Sequence, residues 1–564
     1  MTLQDTSTRS MEQISWQTVL FSERLRHARL LSLRPNWSLE SIRLAIHRNQ
    51  PFELIGAVIA PFLAFAGLEA DIRYSDYDDS LTFAGDVDAD AHIVSLDFDR
   101  YVNPFDTSGL FTWLIDRMRA LRTISDAPVL VTNWCSDGPR AADFNDQLAA
   151  SLSGIPEVHV CDVASIVCNL GDDAFDDRSA EIKASRWSDQ LSLQMARAFG
   201  LQWIPAITSP LLRAIAVDLD GTLYEGVLGE DGADGIRTTA NHLALQKHLV
   251  DLRNRGVFLA VVSRNEREDV DRMFETRSDF LLQRADLSSY AVNWESKAEN
   301  LAKIASDLRI GADAILFVDD NPGELATAIS ALPVRILHAA DPEVALAGLK
   351  FYPGLFRFAR TATDEIRADD LAASHGREEQ LRQAADPAEY LRSLNIELTF
   401  ARNDPTQLAR TAELSNKTNQ FNTALSRKTQ TEITSRLEDG TLSAVTIGLR
   451  DKLSDSGIVG VVFAKSDDTS LRIEEICISC RALGRSLEGA MILQAVALLA
   501  DEQTETVVFS YARGPRNDAA LRWLSANVGE AADQRGDVTI AWDEARARET
   551  VMTTPAMVSI EGVR

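Results

Sequence analysis

The stretch Ile215–Gly232 reads IAVDLDGTLYEGVLGEDG, and its first letters predict a short buried strand that ends in two carboxylates, Asp218 and Asp220. Open α/β sheets place their ligands at the carboxyl ends of parallel strands. The pair alone does not decide its role, because His92–Arg100 (HIVSLDFDR) has the same arrangement of a strand followed by two aspartates. We interpret that second copy as structural.

Three later features distinguish the first pair from its twin. The apolar runs VFLAVVS and AILFVDD predict further buried strands, which end in Ser263 and in Asp319-Asp320, and Lys297 stands at a predicted helix start. Since strand ends and helix starts of one parallel sheet meet at one edge, we expect these side chains to converge.

Each of these residue types has a role in phosphoryl chemistry. Asp218 can attack phosphorus, and Asp220 can protonate the leaving oxygen and then deprotonate water. Ser263 and Lys297 can hold phosphoryl oxygens. Asp319, helped by Asp320, would complete an oxygen shell for Mg²⁺ together with Asp218 and the backbone carbonyl of Asp220. Further candidates for binding phosphate or substrate are Thr222, Arg264, Asn265 and Asn321.

The composition limits the classes of function. A chain of 564 residues with 45% hydrophobic residues predicts several folded domains. A net charge of −27 argues against nucleic acid or an anionic membrane as the main partner. Five scattered cysteines indicate a reducing, cytoplasmic protein, and no apolar leader or membrane span is expected.

The sequence predicts three domains, at residues 1–210, 211–389 and 390–564. The first is an α/β domain, in which Pro35–Arg48 is predicted to form a capped helix and short apolar runs to form a mostly parallel sheet. The middle domain is a parallel α/β sheet. The third is an α+β module with a largely antiparallel sheet, reached through a charged helical connection from Thr361 to about Leu394.

The strings DLDGT, SRNE, NWESKAENL and FVDDNPGE resemble the motifs of haloacid-dehalogenase (HAD) phosphotransferases, and with DLDGTLYEGVLGEDG they resemble the FkbH-like branch. The resemblance implies a Rossmann-like middle domain that uses Mg²⁺. It implies action on a phosphorylated three-carbon acid, 1,3-bisphosphoglycerate, and loading of the glyceryl unit on an acyl carrier protein in a polyketide pathway. Some relatives have a cysteine where this chain has Leu219, which puts a covalent glyceryl step there in doubt.

The flanking domains resemble known folds more loosely. The N-terminal domain stands where relatives carry a region similar to SGNH hydrolases, but no GDS or DxxH motif is found, so a non-catalytic, partner-binding or scaffolding role is expected. His159 and Asp162 suggest a dyad, although a histidine on a strand is more often packed in the core. The glycines of EGVLGEDGADG predict a tight, turn-rich flap over the site. The segment between Asp220 and Ser263 already includes a predicted helix, Leu243–Arg255, so no large cap domain is expected there.

The run CISCRALGRSLEGAMI resembles the cofactor loop of GNAT acyltransferases, which implies phosphopantetheine binding by Arg481, Gly484, Arg485 and Ser486; an ordinary strand-to-helix turn is the alternative. Cys480 is either an acyl-carrying thiol or a structural residue. Asn416–Thr429 (NKTNQFNTALSRKT) either contacts a pantetheine arm or caps a helix. The proposed docking face for an acidic carrier protein comprises Lys417, Arg427, Lys428, Arg481, Arg485, Arg513 and Arg516.

Three hypotheses follow from these features. The first is an Mg²⁺-dependent enzyme that dephosphorylates a phosphoglyceryl substrate and loads a carrier protein. The second is a phosphatase of a small metabolite whose outer modules serve assembly. The third is a carrier-protein adaptor that only grips pantetheine.

Overall fold

The computed structural model describes residues 3–78, 80–83, 88–101, 107–136, 139–178, 185–358, 393–467, 469–483, 487–514, 516–545 and 557–561. The chain divides into two compact units, Met1–Arg360 and Thr361–Arg564. The predicted boundary near residue 390 lies outside the described residues, as does nearly all of the predicted helical connection before it.

The first unit contains two five-stranded parallel sheets. Their strand orders are β2-β1-β3-β4-β5 and β10-β9-β6-β7-β8. The strands are β1 (Glu40–Arg48), β2 (Leu68–Tyr77), β3 (Ala91–Ser95), β4 (Val129–Thr132), β5 (Val158–Cys161), β6 (Ala214–Val217), β7 (Phe258–Ser263), β8 (Ser289–Val292), β9 (Ile315–Asp319) and β10 (Arg335–His338).

Helices connect these strands, as parallel pairing requires. The first helix, Leu3–Leu20, packs on strand β10 and on the helix Pro322–Ala331 of the second sheet. Around the first sheet the helices are His27–Leu30, Glu53–Ala66, Thr107–Ile124, Pro139–Leu152, Val163–Leu170, Asp189–Ala198 and Ile204–Thr208. Around the second sheet they are Leu228–Gly235, Ala240–Asn254, Arg267–Thr276, Lys297–Asp307, Pro322–Ala331 and Pro342–Phe351.

The predicted helix over Pro35–Arg48 is wrong, because Glu40–Arg48 forms strand β1 in the interior of the first sheet. Its last five residues are all buried. A strand covered on both faces lacks the two-residue alternation that marks a half-exposed strand. Ile42 and Ile46 are both buried, and residues four apart lie on one face of a strand as well as on one side of a helix.

The parallel middle sheet predicted from its apolar runs is confirmed. Every residue of β6, β7 and β9 is buried. Helices therefore cover both faces of the sheet, and only its edges remain for a ligand.

The two sheets of the first unit share one hydrophobic core. The rings of Phe65 and Tyr352, one from each half, meet edge to face with centroids 5.8 Å apart. Gln17 reaches across to the edge strand β10, donating to the carbonyl of Ile336 (3.4 Å) and accepting from the amide of His338 (3.1 Å). The first helix thereby satisfies two backbone groups that an edge strand leaves unpaired.

A buried histidine pair predicts that the first unit loses stability in mild acid. His47 Nε2 lies 3.0 Å from His92 Nδ1, and burial lowers the pKa of both rings to about 4. Between about pH 6.5 and 4 the unfolded chain therefore binds protons that the folded chain refuses, so the free energy of unfolding falls as the pH falls. Replacing His47 by Gln should reduce this loss by about 2 kcal/mol between pH 7 and 5.

Urea unfolding of the first unit at a series of pH values measures this difference. His27→Gln is the matched control because the His27 ring is on the surface. An equal pH dependence for wild type and His47→Gln would contradict the prediction.

The second unit contains one seven-stranded mixed sheet of order β16-β15-β14-β13-β12-β11-β17. Four of its six strand pairs are antiparallel, as predicted, and the pairs β14–β15 and β11–β17 are parallel. The strands are β11 (Glu397–Arg402), β12 (Ser443–Arg450), β13 (Asp455–Asp467), β14 (Ser470–Ile478), β15 (Thr506–Ala512), β16 (Arg535–Ala541) and β17 (Met557–Glu561), and the helices are Leu408–Lys417, Gln430–Glu438, Glu488–Leu499 and Asp518–Asn527. In the described part of the chain no helix has the length and apolar character of a membrane span.

Candidate functional site

The carboxyl edge of the second sheet brings the predicted residues together. Strand β6 lies between β9 and β7, so Asp218, Asp319 and Ser263 follow or end three neighbouring strands. The amide of Asp218 continues the ladder by donating to the carbonyl of Val318 at 3.0 Å. The convergence expected from the sequence is confirmed.

Lys297 supplies the positive charge of this site. It is the first residue of the helix Lys297–Asp307, which Ser296 and Glu299 cap reciprocally. Its ammonium lies 3.0 Å from Asp218 Oδ1 and 2.6 Å from Asp319 Oδ2, and the side chain is 6% exposed. A buried cation thus joins the two carboxylates.

The electrostatics of the site favour a further cation. Burial raises the pKa of Asp218 to about 7, an effect that Lys297 opposes and Asp319 strengthens. Burial also raises the pKa of Asp319, whereas Asp218 and Asp319 outweigh burial and raise the pKa of Lys297. One ammonium therefore faces more carboxylate charge than it can balance.

Asp218, Asp319 and Asp320 fit a divalent metal ion. Each offers one carboxylate oxygen, and the three oxygens lie within 4.8 Å of one another. Carboxylate oxygens are the ligands that Mg²⁺ prefers. Gly221 makes room for this group, because a Cβ there would lie 2.5 Å from Asp320 Oδ2 and its φ of +69° suits glycine. His338 Nε2 lies 3.0 Å from the carbonyl oxygen of Asp320 and holds the backbone there.

Asp220 is held away from this cluster by three donors. Tyr224 donates its hydroxyl at 2.6 Å and the amide of Leu228 donates at 3.0 Å to one oxygen, while Asn265 Nδ2 donates at 2.8 Å to the other. Asn265 also lies 3.1 Å from the Ser263 hydroxyl, so it links the ends of two strands. The carboxylate is thereby fixed in one orientation.

The other predicted phosphate-binding residues differ in their surroundings. Thr222 is 1% exposed, and among the described residues its hydroxyl has no hydrogen-bond partner, so a bound phosphoryl oxygen would satisfy it. Arg264 pairs with Glu324 at 2.8 Å. Asn321 donates its amide to Asp319 Oδ1 (2.9 Å), while its side chain accepts from the amide of Gly323 (2.8 Å) and caps a helix.

The tail YEGVLGEDG was predicted to be a turn-rich flap, but only its start at Gly226 is a turn, and the rest of this flap belongs to the short helix Leu228–Gly235. Gly226 has a φ of +106°, and a Cβ there would lie 2.7 Å from Asp231 Oδ2, which accepts from the amide of Val227 at 2.8 Å. Arg277 donates to the carbonyls of Ala233 and Ile236 at the other end of the flap, at 2.8 and 2.9 Å. No separate cap domain is inserted within the described residues between Asp220 and Ser263.

Sequence reasoning missed Tyr224, Asp231 and Arg277. A signal for the first was available, because Tyr224 lies only four residues after Asp220 in the same motif. The structure joins the two residues through an isolated bridge. Arg277 contacts Ala233 and Ile236, which are distant in the chain, and no local sequence pattern predicts such a contact.

The motif-like groups of the first sheet make local contacts with neighbouring residues. Asp97 accepts from the amide of Asp99 (3.2 Å), and Asp99 accepts from the indole of Trp134 (3.1 Å), as the structural interpretation of HIVSLDFDR expects. His159 stacks on the ring of Phe358, whereas Asp162 caps a helix, so these two residues form no dyad.

The candidates of the second unit are only partly described. Strand β14 ends at Ile478 rather than at Cys480, which is half-buried, and Arg481 is 9% exposed. Gly484, Arg485 and Ser486 lie outside the described residues, so pantetheine binding there stays a prediction.

Two members of the proposed basic docking face form hydrogen bonds or ion pairs within the second unit. Arg427 donates to the carbonyls of Ser415, Asn416 and Thr418 at 2.7–3.0 Å. Lys428 is 5% exposed and pairs with Glu474 at 3.1 Å. Neither charge is presented as a free surface cation.

The comparisons with known proteins are distant. No family model and no curated protein matches the chain. Among solved structures it is similar to the N-terminal part of the protein BF1531 from Bacteroides fragilis, which contains a phosphatase domain and is complexed with Mg, at 19% identity and a TM-score of 0.47 over 62% of this chain and 98% of that one.

Two further solved structures are N-acetyltransferases. Spermidine N-acetyltransferase from Vibrio cholerae, in complex with CoA and spermine, is 11% identical with a TM-score of 0.20 over 27% of this chain and 98% of that one. PaiA N-acetyltransferase from Thermoplasma acidophilum, in complex with coenzyme A, is 11% identical with a TM-score of 0.17 over 21% and 72%. At these values the comparisons assign this chain neither a family nor an activity.

Proposed function

We propose that the first unit is an Mg²⁺-dependent phosphatase that acts through an aspartyl phosphate on Asp218. The observation that carries this proposal is the buried ammonium of Lys297 between Asp218 and Asp319, with Asp320 beside them. A structural ion pair would need one carboxylate, whereas phosphoryl transfer needs a nucleophile and surplus acidic ligands at one point.

The residues would act in two steps. An oxygen of Asp218 attacks phosphorus, the bond from phosphorus to the leaving oxygen breaks, and Asp220 gives that oxygen a proton. Water then attacks the same phosphorus, Asp220 takes a proton from it, and phosphate departs as Asp218 is restored. Lys297, Ser263 and the hydroxyl of Thr222 hold the phosphoryl oxygens. Mg²⁺ held by Asp218, Asp319, Asp320 and the carbonyl of Asp220 would offset the charge of the phosphoryl group.

The finer proposal is that the substrate is a phosphoglyceryl compound, 1,3-bisphosphoglycerate, and that the glyceryl unit passes to an acyl carrier protein. The motif tail YEGVLGEDG supports it through its FkbH-like resemblance, and the absence of an inserted cap suits a tethered substrate. The carrier's thiolate would attack the carbonyl carbon of the acyl phosphate, so that a C–S bond forms, the C–O bond to the phosphate breaks and inorganic phosphate leaves. The phosphate ester at the other end would be hydrolysed at Asp218. Leu219 is buried and offers no thiol, so transfer would be direct or through Cys480.

Intact-mass analysis of a phosphopantetheinylated carrier, incubated with the chain, Mg²⁺ and 1,3-bisphosphoglycerate, tests both the phosphatase proposal and the carrier-loading proposal. A glyceryl mass gain supports loading. Phosphate release with an unchanged carrier supports a metabolite phosphatase instead. If neither phosphate nor a loaded carrier is formed, both proposals are refuted. Normal loading by Cys480→Ala would exclude a relay through that thiol.

Tyr224 is a positioning residue for Asp220, and its removal should slow catalysis. Tyr224→Phe keeps the buried ring but removes the 2.6 Å hydrogen bond to Asp220. Hydrogen bonds to charged groups contribute about 1.5–3 kcal/mol, so kcat for phosphate release should fall roughly 10-fold or more while KM changes little.

The matched control is Tyr290→Phe, which removes a 3.0 Å hydrogen bond to Asp271 and leaves the three donors to Asp220 in place. Steady-state kinetics with both variants distinguish a loss of the orientation of Asp220 from a general loosening of the fold. A changed KM with an unchanged kcat would contradict the role given to Tyr224.

A further inference from the structure

Two parallel strands of the second unit diverge, and a wedge opens between them. Strands β14 and β15 pair only from Ser470↔Thr506 to Ile473↔Phe509. Beyond that register the rest of β14 runs on to Ile478 and the rest of β15 to Ala512 without pairing to each other. The facing backbone groups of the two strands therefore need other partners.

The segment Phe421–Thr423, here called the wedge segment, supplies those partners. On the β14 side Thr423 donates its amide to Ile476 O (3.1 Å) and Ile478 donates to Phe421 O (2.9 Å). The Thr423 hydroxyl accepts from the amide of Ile476 at 2.9 Å. On the β15 side Ala512 donates its amide to Thr423 O at 2.8 Å. The segment thus lies as a short strand between β14 and β15.

The wedge segment is part of the interior. Phe421, Asn422 and Thr423 are 2%, 0% and 1% exposed. Asn517, itself 0% exposed, donates to the carbonyls of Asn422 and Ala512, each at 2.8 Å, and so ties the segment to β15. Asn422 accepts from the amide of Leu425 at 2.7 Å, which closes the turn after the segment.

The wedge is also where a pantetheine arm would be expected. The predicted phosphate loop Arg481–Ser486 follows β14 directly, and ligands approach parallel strands at their carboxyl ends. A pantetheine arm is an extended chain with two amides, so it would bind as an added strand binds, through the unpaired edges of β14 and β15. The chain itself already uses the backbone groups of Ile476, Ile478 and Ala512 at these edges.

We infer that the wedge segment takes the place of an extended amide ligand, and that this unit does not seat a pantetheine arm between β14 and β15. NKTNQFNTALSRKT then has a structural role, in which its amides complete a sheet. One consequence rests on the proposed function. If the chain loads a carrier protein, the carrier's pantetheine arm must bind somewhere other than the wedge.

Coenzyme A, which carries the same arm, is the probe. Calorimetric titration of the full chain with coenzyme A is combined with hydrogen exchange of Thr423, Ile478 and Ala512. We expect no saturable binding at millimolar coenzyme A and exchange of all three amides roughly 100-fold or more below the unfolded rate. Saturable 1:1 binding with loss of protection at Thr423 would overturn the inference, as would rapid exchange of Thr423 without ligand.

Binding that leaves these amides protected would put coenzyme A outside the wedge and agree with the inference. Asn517→Ala provides a second test, because loosening the segment should speed exchange at Thr423 and Ala512. Thr441→Ala, in an exposed turn of the same unit, is the control. The titration and the exchange need no phosphatase activity, so their outcome is independent of whether the proposed function holds.

Discussion

Asp218→Asn should abolish phosphate release by this chain. The substitution preserves the shape of the side chain but removes the nucleophilic oxygen and one of the carboxylates that could hold a metal ion. A residue that forms the covalent intermediate is worth several orders of magnitude, so kcat should fall at least about 10³-fold. Phosphate release from 1,3-bisphosphoglycerate in the presence of Mg²⁺ is the measurement.

The chain offers its own matched control in Asp97→Asn. Asp97 occupies the corresponding place in HIVSLDFDR, after a buried strand of the first sheet, where it accepts from the amide of Asp99. This variant should keep activity within about two-fold of wild type, and its stability should change little, because an Asn side chain also accepts the capping hydrogen bond. Equal activity losses in both variants would mean that Asp218 acts only through folding.

Lys297→Met should remove activity and destabilise the first unit. Met fills a similar volume but leaves Asp218 and Asp319, 6% and 0% exposed, without their shared cation. Breaking a buried pair by removing one partner costs about 3–5 kcal/mol. The lost charge makes a divalent cation more valuable, so Mg²⁺ should raise the unfolding temperature of the variant more than that of wild type.

Thermal unfolding with and without Mg²⁺ measures this difference. Lys303→Met is the control on the same helix, since Lys303 pairs with Glu295 at the surface and should cost less than about 1 kcal/mol. A Lys297→Met protein as stable as wild type, with no added response to Mg²⁺, would show that the ammonium does not hold the two carboxylates together.

The core of the candidate site was predictable because its residues stand at strand ends. Uninterrupted apolar runs such as FLAVVS marked strands buried on both faces, and the topology of a parallel sheet then required Asp218, Ser263 and Asp319 to meet. Lys297 joined them because helix starts share that edge. These inferences use only local patterns and one rule of connectivity.

The prediction failed at β1 for a related reason. Glu40–Arg48 carries polar residues within an apolar pattern, and Asn36 and Ser38 before it suggested a helix cap. A strand in the interior of a sheet need not alternate, so spacing alone could not separate the two structures. Burial in the tertiary structure makes this segment a strand rather than a helix.

The position of the wedge segment could not be predicted from the sequence. Its hydrogen bonds join residue 423 to residues 476 and 512, and no local propensity records such pairings. Its amides were equally compatible with holding a ligand or with completing a sheet. Only the geometry of two diverging strands distinguishes these roles.

Trapping the covalent intermediate is the most direct test of an aspartyl phosphate on Asp218. The full chain is mixed with Mg²⁺ and the phosphoryl donor, quenched in acid within its first turnovers, digested and analysed by peptide mass. We predict a gain of one phosphoryl group on the peptide that contains Asp218, lost on treatment with hydroxylamine and missing in Asp218→Asn. Phosphate release without any such gain, or a gain on another residue, would contradict a phosphoryl transfer through Asp218.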